Sequence, residues 1–84
     1  MTLRQAEILA KALKKAFGGK VEFETAGRSG RYRFAIVSKN FNSMPHLKRQ
    51  DAVWEIIDRA LPREVTLDVS MVLAYAPADL VPTS

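Results

Sequence analysis

The residues able to do chemistry are few, and most of them are basic. Gly27-Arg28-Ser29-Gly30 reads as GxxG, a pattern with which some RNA-binding domains clamp a nucleic-acid backbone. In those domains the loop joins two helices, whose amino-terminal amides help hold phosphate. Here it lies between two stretches of strand-like alternation, which favours a glycine-assisted hairpin turn. Even so, Arg28, Arg31 and Arg33 cluster at that tip and suit phosphate contact without sequence readout. Lys39 and then His46-Leu47-Lys48-Arg49 form a second basic group, at the start of a later helical stretch. It is either a nucleic-acid or partner-facing edge, or an exposed helix start whose Arg49 bonds nearby carbonyls. Trp54 lies at the border of the apolar stripe of that helix, either as core or as an interface anchor.

The excluded chemistry is broader. The chain has no cysteine and one histidine. That removes a disulfide framework, thiolate-bound zinc and a cysteine nucleophile, so no metal and no cofactor is expected. There is no glycine-rich phosphate loop and no Ser/His/Asp set that the order of elements would bring together. Glu22 and Glu24 share a strand face with Arg33, which points to cross-strand pairing and not to paired acid and base. The expectation is a binding protein, not an enzyme.

Charge supports binding to something anionic. Residues 1–49 carry 11 Lys/Arg against 3 Asp/Glu, whereas residues 50–84 carry 2 against 6. The net charge of +4 therefore conceals a strongly basic first half, suited to nucleic acid or an acidic protein surface. A few surplus lysines also serve solubility alone. At 84 residues, 48% hydrophobic and 26% charged, the chain suits one globular domain and is too short for two ordinary cores. No apolar run approaches a membrane span, and Met1 to Glu7 lack the pattern of a signal peptide. A cytoplasmic location, with no membrane contact, is expected.

The elements that must position these residues are legible from periodicity. Thr2 and Gln5 form a capping-box pattern, and Leu3, Ala6, Leu9, Ala10, Leu13, Ala16 and Phe17 recur at helical spacing up to Gly18-Gly19, predicting a helix over about 3–17. Arg4, Lys11 and Lys15 then share a solvated outer face. Residues 21–25 and 32–38 alternate with period two. A hairpin folding about Arg28-Ser29 pairs Thr25 with Tyr32, Glu24 with Arg33, Phe23 with Phe34 and Val21 with Ile36. That register sets apolar against apolar and charge against opposite charge, with Phe23, Tyr32 and Phe34 turned inward.

After a turn at 40–43, Ser43 is placed to cap and Pro45 to open a helical region reaching about Leu61, with a break near Lys48. Val53, Ile56, Ile57, Ala60 and Leu61 are its buried face, and Glu55 pairs with Arg59 outside. The alternation of Val65, Leu67, Val69, Met71, Leu73 and Tyr75 predicts a long third strand with those six side chains on its apolar face. The other sheet face, bearing Glu22, Glu24, Arg31, Arg33, Thr66, Asp68 and Ser70, is expected to be wet. The predicted fold is α+β, a two-layer sandwich in the order α-β-β-α(α)-β, with helices on one face of a three-stranded mixed sheet. The domain is drawn as residues 1–78, with 79–84 a flexible tail.

The run Phe34-Ala35-Ile36-Val37-Ser38-Lys39-Asn40-Phe41, then Arg49 and Val53-Trp54, resembles the BolA family. Its pattern is an apolar strand ending in Val-Ser, a Phe three residues on, then Arg-His and a hydrophobic-aromatic pair. Ser38, Phe41, Arg49 and Val53 fall on it without a gap, and Trp54 stands where tyrosine is usual. The element order over about 3–78 also matches that family's fold, a relative of the type II K-homology arrangement.

The resemblance implies a regulatory or adaptor module, with roles in stress response and transcription regulation. It also implies two partner classes, monothiol glutaredoxins and DNA, and a monomer or weak homodimer. Relatives are associated with sharing an iron–sulfur cluster through a histidine at the start of the last strand and a Cys or His between the first two strands. This chain has Val65-Thr66-Leu67-Asp68 and Ala26-Gly27-Arg28-Ser29-Gly30 there, and Gln50 where the motif histidine stands. Hydroxyls and a lone carboxylate are poor substitutes for soft ligands. The expectation is a BolA-like adaptor binding a glutaredoxin-class partner without supplying cluster ligands. The alternative is a nucleic-acid-binding module using the basic hairpin and the start of the second helical region.

Overall fold

The structure is a computed structural model that describes residues 1–27 and 30–80. Helix α1 spans Leu3–Phe17 and opens with a complete capping box. Gln5 N–H donates to Thr2 Oγ1 at 3.1 Å, and Thr2 N–H donates to Gln5 Oε1 at 2.9 Å, satisfying two otherwise orphan donors. Gly18 and Gly19 then turn the chain, both at positive φ. At Gly19 a Cβ would collide with the Val37 carbonyl, so glycine lets the helix exit lie directly against the second strand.

Strands β1 (Lys20–Ala26) and β2 (Arg31–Val37) pair antiparallel in the expected register, Val21 with Ile36, Phe23 with Phe34, Glu24 with Arg33 and Thr25 with Tyr32. The tip residues Arg28 and Ser29, about which the hairpin was expected to fold, lie outside the described residues. Ser38 caps a 3-10 turn at Lys39–Phe41. Helix α2 runs unbroken over His46–Ala60. Its amino-terminal cap position is Pro45, with no side-chain cap bond, so neither the cap at Ser43 nor the break near Lys48 forms. The second helical piece lies later, as α3 (Arg63–Thr66), a single turn started by Pro62.

That turn shortens the last strand. Val65 and Thr66 are helical, Leu67 is exposed, and β3 spans only Val69–Tyr75. The expected strand start fails because the N–H groups of Val65 and Thr66 both donate to Pro62 O, closing a helical turn before extension begins. Strand β3 runs parallel to β2, giving a three-stranded mixed sheet in the order β1-β2-β3. An irregularity in register falls where Tyr32 pairs Val69 but Arg33 pairs Met71. The extra residue reverses the alternation. Val69, Val72 and Ala74 are buried, whereas Met71 and Leu73, expected inside, are exposed.

Both long helices cover one face of the sheet. Ala6, Leu9 and Leu13 of α1 and Val53 and Ile57 of α2 close over Tyr32, Phe34, Ile36, Val72 and Ala74, all buried. Ile56, Ala60 and Leu61 are only partly buried at the margin of this core, as are Phe23 and Trp54. A last 3-10 turn, Pro77–Leu80, follows β3. The boundary drawn at residue 78 cuts through this turn, and residues 81–84 lie outside the described residues. None of the described helices is long and apolar enough to cross a membrane.

Candidate partner-binding site

Arg49, read either as part of a basic edge or as bonding nearby carbonyls from an exposed helix start, bonds carbonyls but from inside the domain, at 5% exposure. Its place in the first turns of α2 aims it at the end of β3. Nε donates to Met44 O at 2.8 Å, and Nη1 donates to Ala74 O at 3.2 Å and to Asp79 Oδ2 at 2.7 Å. The guanidinium also lies 6.0 Å from the Phe41 ring centroid. Asp79 Oδ2 accepts a further bond from Ala76 N–H at 2.9 Å. That backbone bond, followed by the one from Arg49, holds the Asp79 carboxyl below its ordinary value. Arg49 is thus a latch joining α2, β3 and the C-terminal turn. It is not available to phosphate or to a partner.

Next to it, Gln50 Nε2 donates to Val72 O at 2.9 Å. Gln50 and Arg49 together occupy two carbonyls of β3, the sheet's edge strand away from β1. Polar groups along an edge invite pairing with another chain, so these two side chains protect that edge.

The remaining candidates fall into three separate places. Arg31 and Arg33 stand at the hairpin end of β2, and Arg33 is engaged by Glu24 at 2.6 Å. Arg28, grouped with them, lies outside the described residues. Lys39, His46 and Lys48 are exposed at the opposite end of the sheet. The length of β2 separates the two groups by more than about 20 Å. The basic hairpin and the start of α2 therefore do not make one continuous site.

A different set of lysines joins the Lys39 end. Ser38 Oγ and Asn40 Nδ2 donate to Phe17 O at 2.6 and 2.7 Å, tying the last turn of α1, with Lys14 and Lys15, to the Lys39 turn. Lys15 is exposed, as a solvated helix stripe requires; helical spacing alone does not show what the helix end meets.

Trp54 lies in the third place. It is half-buried and forms one wall of a groove of about 300 Å³ with Asp58, Arg63, Thr66, Leu67 and Val69. Leu67 is 66% exposed at its mouth. An apolar wall of Trp and Leu with an acid and an arginine at the rim has the makeup of a small protein-binding patch. Leu67 escaped sequence reasoning because its alternation with Val65 and Val69 read as strand. The helix-starting pair Pro62-Arg63 was the signal that it is not.

The groove's own residues do not fit a metal cluster. Asp58 is the one carboxylate in its lining, with no imidazole or thiolate beside it, and Thr66 donates its hydroxyl to Arg63 O at 3.0 Å. The single imidazole is at the wrong end. His46 opens α2, whose Arg49 reaches Ala74 O and Asp79 at and beyond the end of β3, whereas Thr66 to Asp68 precede its start. The strand between spans roughly 20 Å. Among the described residues no group of three or more His, Cys, Asp or Glu is placed to hold a metal.

No family model matches this sequence, and no curated protein is significantly similar to it in sequence. Solved structures do match in fold. The chain is similar to BolA1 from Arabidopsis thaliana, with a TM-score of 0.70 at 19% identity, over 93% of this chain and 96% of that one. It is also similar to the BolA domain of SufE1 from Arabidopsis thaliana, with a TM-score of 0.68 at 17% identity, over 95% of this chain and 99% of that one.

Proposed function

From a BolA-like α+β fold, we propose that this chain is a non-enzymatic adaptor. It works in the cytoplasm by binding a protein of the monothiol glutaredoxin class and supplies no iron–sulfur ligand of its own. The observation that carries this reading is the groove at the foot of β3, where exposed Leu67 and half-buried Trp54 present apolar surface beside Asp58 and Arg63. It opens at the end of the domain where the last strand starts. Of the groove's polar side chains, Thr66 is already bonded within the chain, to Arg63 O.

Titrating the full chain with apo and cluster-loaded monothiol glutaredoxin, followed by calorimetry and visible circular dichroism, tests it. Binding to the apo partner is expected, with Trp54→Ala and Leu67→Asp each weakening it about tenfold or more, as for buried aromatic and apolar anchors. No binding to either form overturns the partner. A new histidine-type cluster spectrum on mixing overturns the absence of ligands.

Nucleic-acid binding is a second reading, and the gathering of Lys14, Lys15 and Lys39 at one end of the sheet favours it. It requires amide shifts at those lysines on adding duplex DNA at low salt, and an affinity that falls steeply as salt rises. Unchanged spectra at low salt exclude it.

A further inference from the structure

Among the described residues the most exposed large apolar side chain is Leu47, at 77%. It stands in the first turn of α2, after half-buried Met44 and exposed Pro45. The end of α1 is brought to the same place. Ser38 and Asn40 hold Phe17 O, and the ring of buried Phe41 lies 5.1 Å from that of Phe17 and 6.0 Å from the Arg49 guanidinium. Lys14, Lys15, Lys39, His46 and Lys48 therefore share one end of the domain with Leu47, and all are exposed.

That end is one-sided in charge. Residues 14–20 and 38–49, which build it, hold six Lys/Arg and no Asp or Glu. Glu22 is taken by Lys20 at 3.0 Å, and Asp79 by Arg49 and Ala76 N–H. Among the described residues none of Lys14, Lys15, Lys39 and Lys48 has a carboxylate partner. Lys48 stands in the first turn of α2, where the helix dipole disfavours a cation and no acid offsets it. Folding stability does not account for it.

We infer that this end of the domain rests on the surface of an anionic lipid bilayer, with Leu47 inserted beneath the headgroups and the four lysines among them. An exposed leucine ringed by unpaired lysines has the chemistry of an interfacial anchor: the apolar contact fixes depth, and charge selects anionic lipid. Nucleic acid fits this patch less well. A phosphate backbone offers nothing to a bare leucine, and base recognition draws on arginine forks and exposed aromatic rings, whereas Arg49 and Phe41 are buried. The lack of a long apolar run bears on crossing a membrane, not on resting against one. The Trp54 groove, where β3 starts, lies at the other end of the sheet, so the lipid contact leaves it open to a protein partner.

Four lysines at about fivefold each and one inserted leucine at about tenfold give weak, reversible attachment, with a Kd of roughly 0.2 mM in accessible lipid. Cosedimentation of the full chain with vesicles tests this. Binding is expected to phosphatidylcholine vesicles carrying about 30% phosphatidylserine. It should be lost on pure phosphatidylcholine and fall steeply between about 0.1 and 0.5 M salt. Leu47→Asn should weaken it about tenfold, and Lys39→Gln with Lys48→Gln about 25-fold. These positions are exposed, and unchanged thermal unfolding of the variants separates lost contact from lost fold. No sedimentation with either vesicle, equal sedimentation with both, or binding by Leu47→Asn as tight as that of the unaltered chain overturns the inference. So does tighter binding to a short DNA duplex than to the anionic vesicles, which would make the patch a nucleic-acid face.

Discussion

Replacing Arg49 with methionine separates a latch from a surface contact. The substitution keeps an unbranched apolar stem of similar length and removes every donor. It strips the guanidinium from Met44 O, Ala74 O and Asp79, of which the Ala74 bond is fully buried. Hydrogen bonds to a charged group contribute about 1.5–3 kcal/mol each, and a carbonyl left buried without a partner costs about 1–3 kcal/mol. Relief of the guanidinium's own desolvation offsets part of this. A net loss of about 3 kcal/mol is expected, which for a domain of this size lowers Tm by roughly 12–24 °C. Thermal unfolding by circular dichroism, with urea midpoints as a check, measures it. Arg49→Lys, which keeps the charge but not the fork, should fall between the two proteins. A Tm change below about 3 °C for Arg49→Met would place the side chain among surface residues, whose substitution costs within ~0.5 kcal/mol, and would refute the latch.

Other consequences are equally specific. The Asp79 carboxyl is held below its ordinary value by Ala76 N–H and Arg49, so its stabilisation is complete above about pH 4 and is lost as pH falls through the folded-state value. Asp79→Asn should flatten that part of the acid-unfolding curve, and an unchanged curve would show that other carboxylates govern it. Gly19→Ala should destabilise by more than ~2 kcal/mol, because Cβ meets the Val37 carbonyl and φ is +72°. Gly18→Ala meets open space but must hold φ 68° and ψ −166°, a region nearly exclusive to glycine, and should cost about 1–3 kcal/mol from backbone strain alone; a urea midpoint for Gly19→Ala no lower than that for Gly18→Ala would contradict the close approach. Ser38→Ala removes the bond to Phe17 O and the cap on Asn40 N–H. It should lower stability by about 1–2 kcal/mol and speed hydrogen exchange at the 39–41 turn; unaltered exchange there would deny Ser38 that role.

Much of the architecture follows from local rules. The capping box at Thr2 and Gln5, the helix ending at Phe17 and the register of β1 on β2 each depend on neighbours in sequence or on a pattern of period 3.6 or 2. The helical crossover makes β3 parallel to β2 once the two strands are neighbours, as they are. The candidate site was less legible. The motif residues Ser38, Phe41, Arg49 and Val53 are all buried, so a pattern suggesting a binding edge describes packing and latching. Arg49 reads as a surface cation until Ala74 and Asp79, 25 and 30 residues away, are brought to it.

Helix and hairpin positions, the absence of soft metal ligands and the surplus of positive charge in residues 1–49 are therefore properties of the chain that need no tertiary contact. Three decisions belong to the folded state. The helical turn after Pro62 exposes Leu67 beside Trp54, the register shift beside Val69 turns Met71 and Leu73 outward, and the meeting of α2 with β3 buries Arg49. An apolar alternation is compatible with either face of a strand until one extra residue sets its phase. A cation is compatible with surface or interior until distant carbonyls and a carboxylate compensate its desolvation.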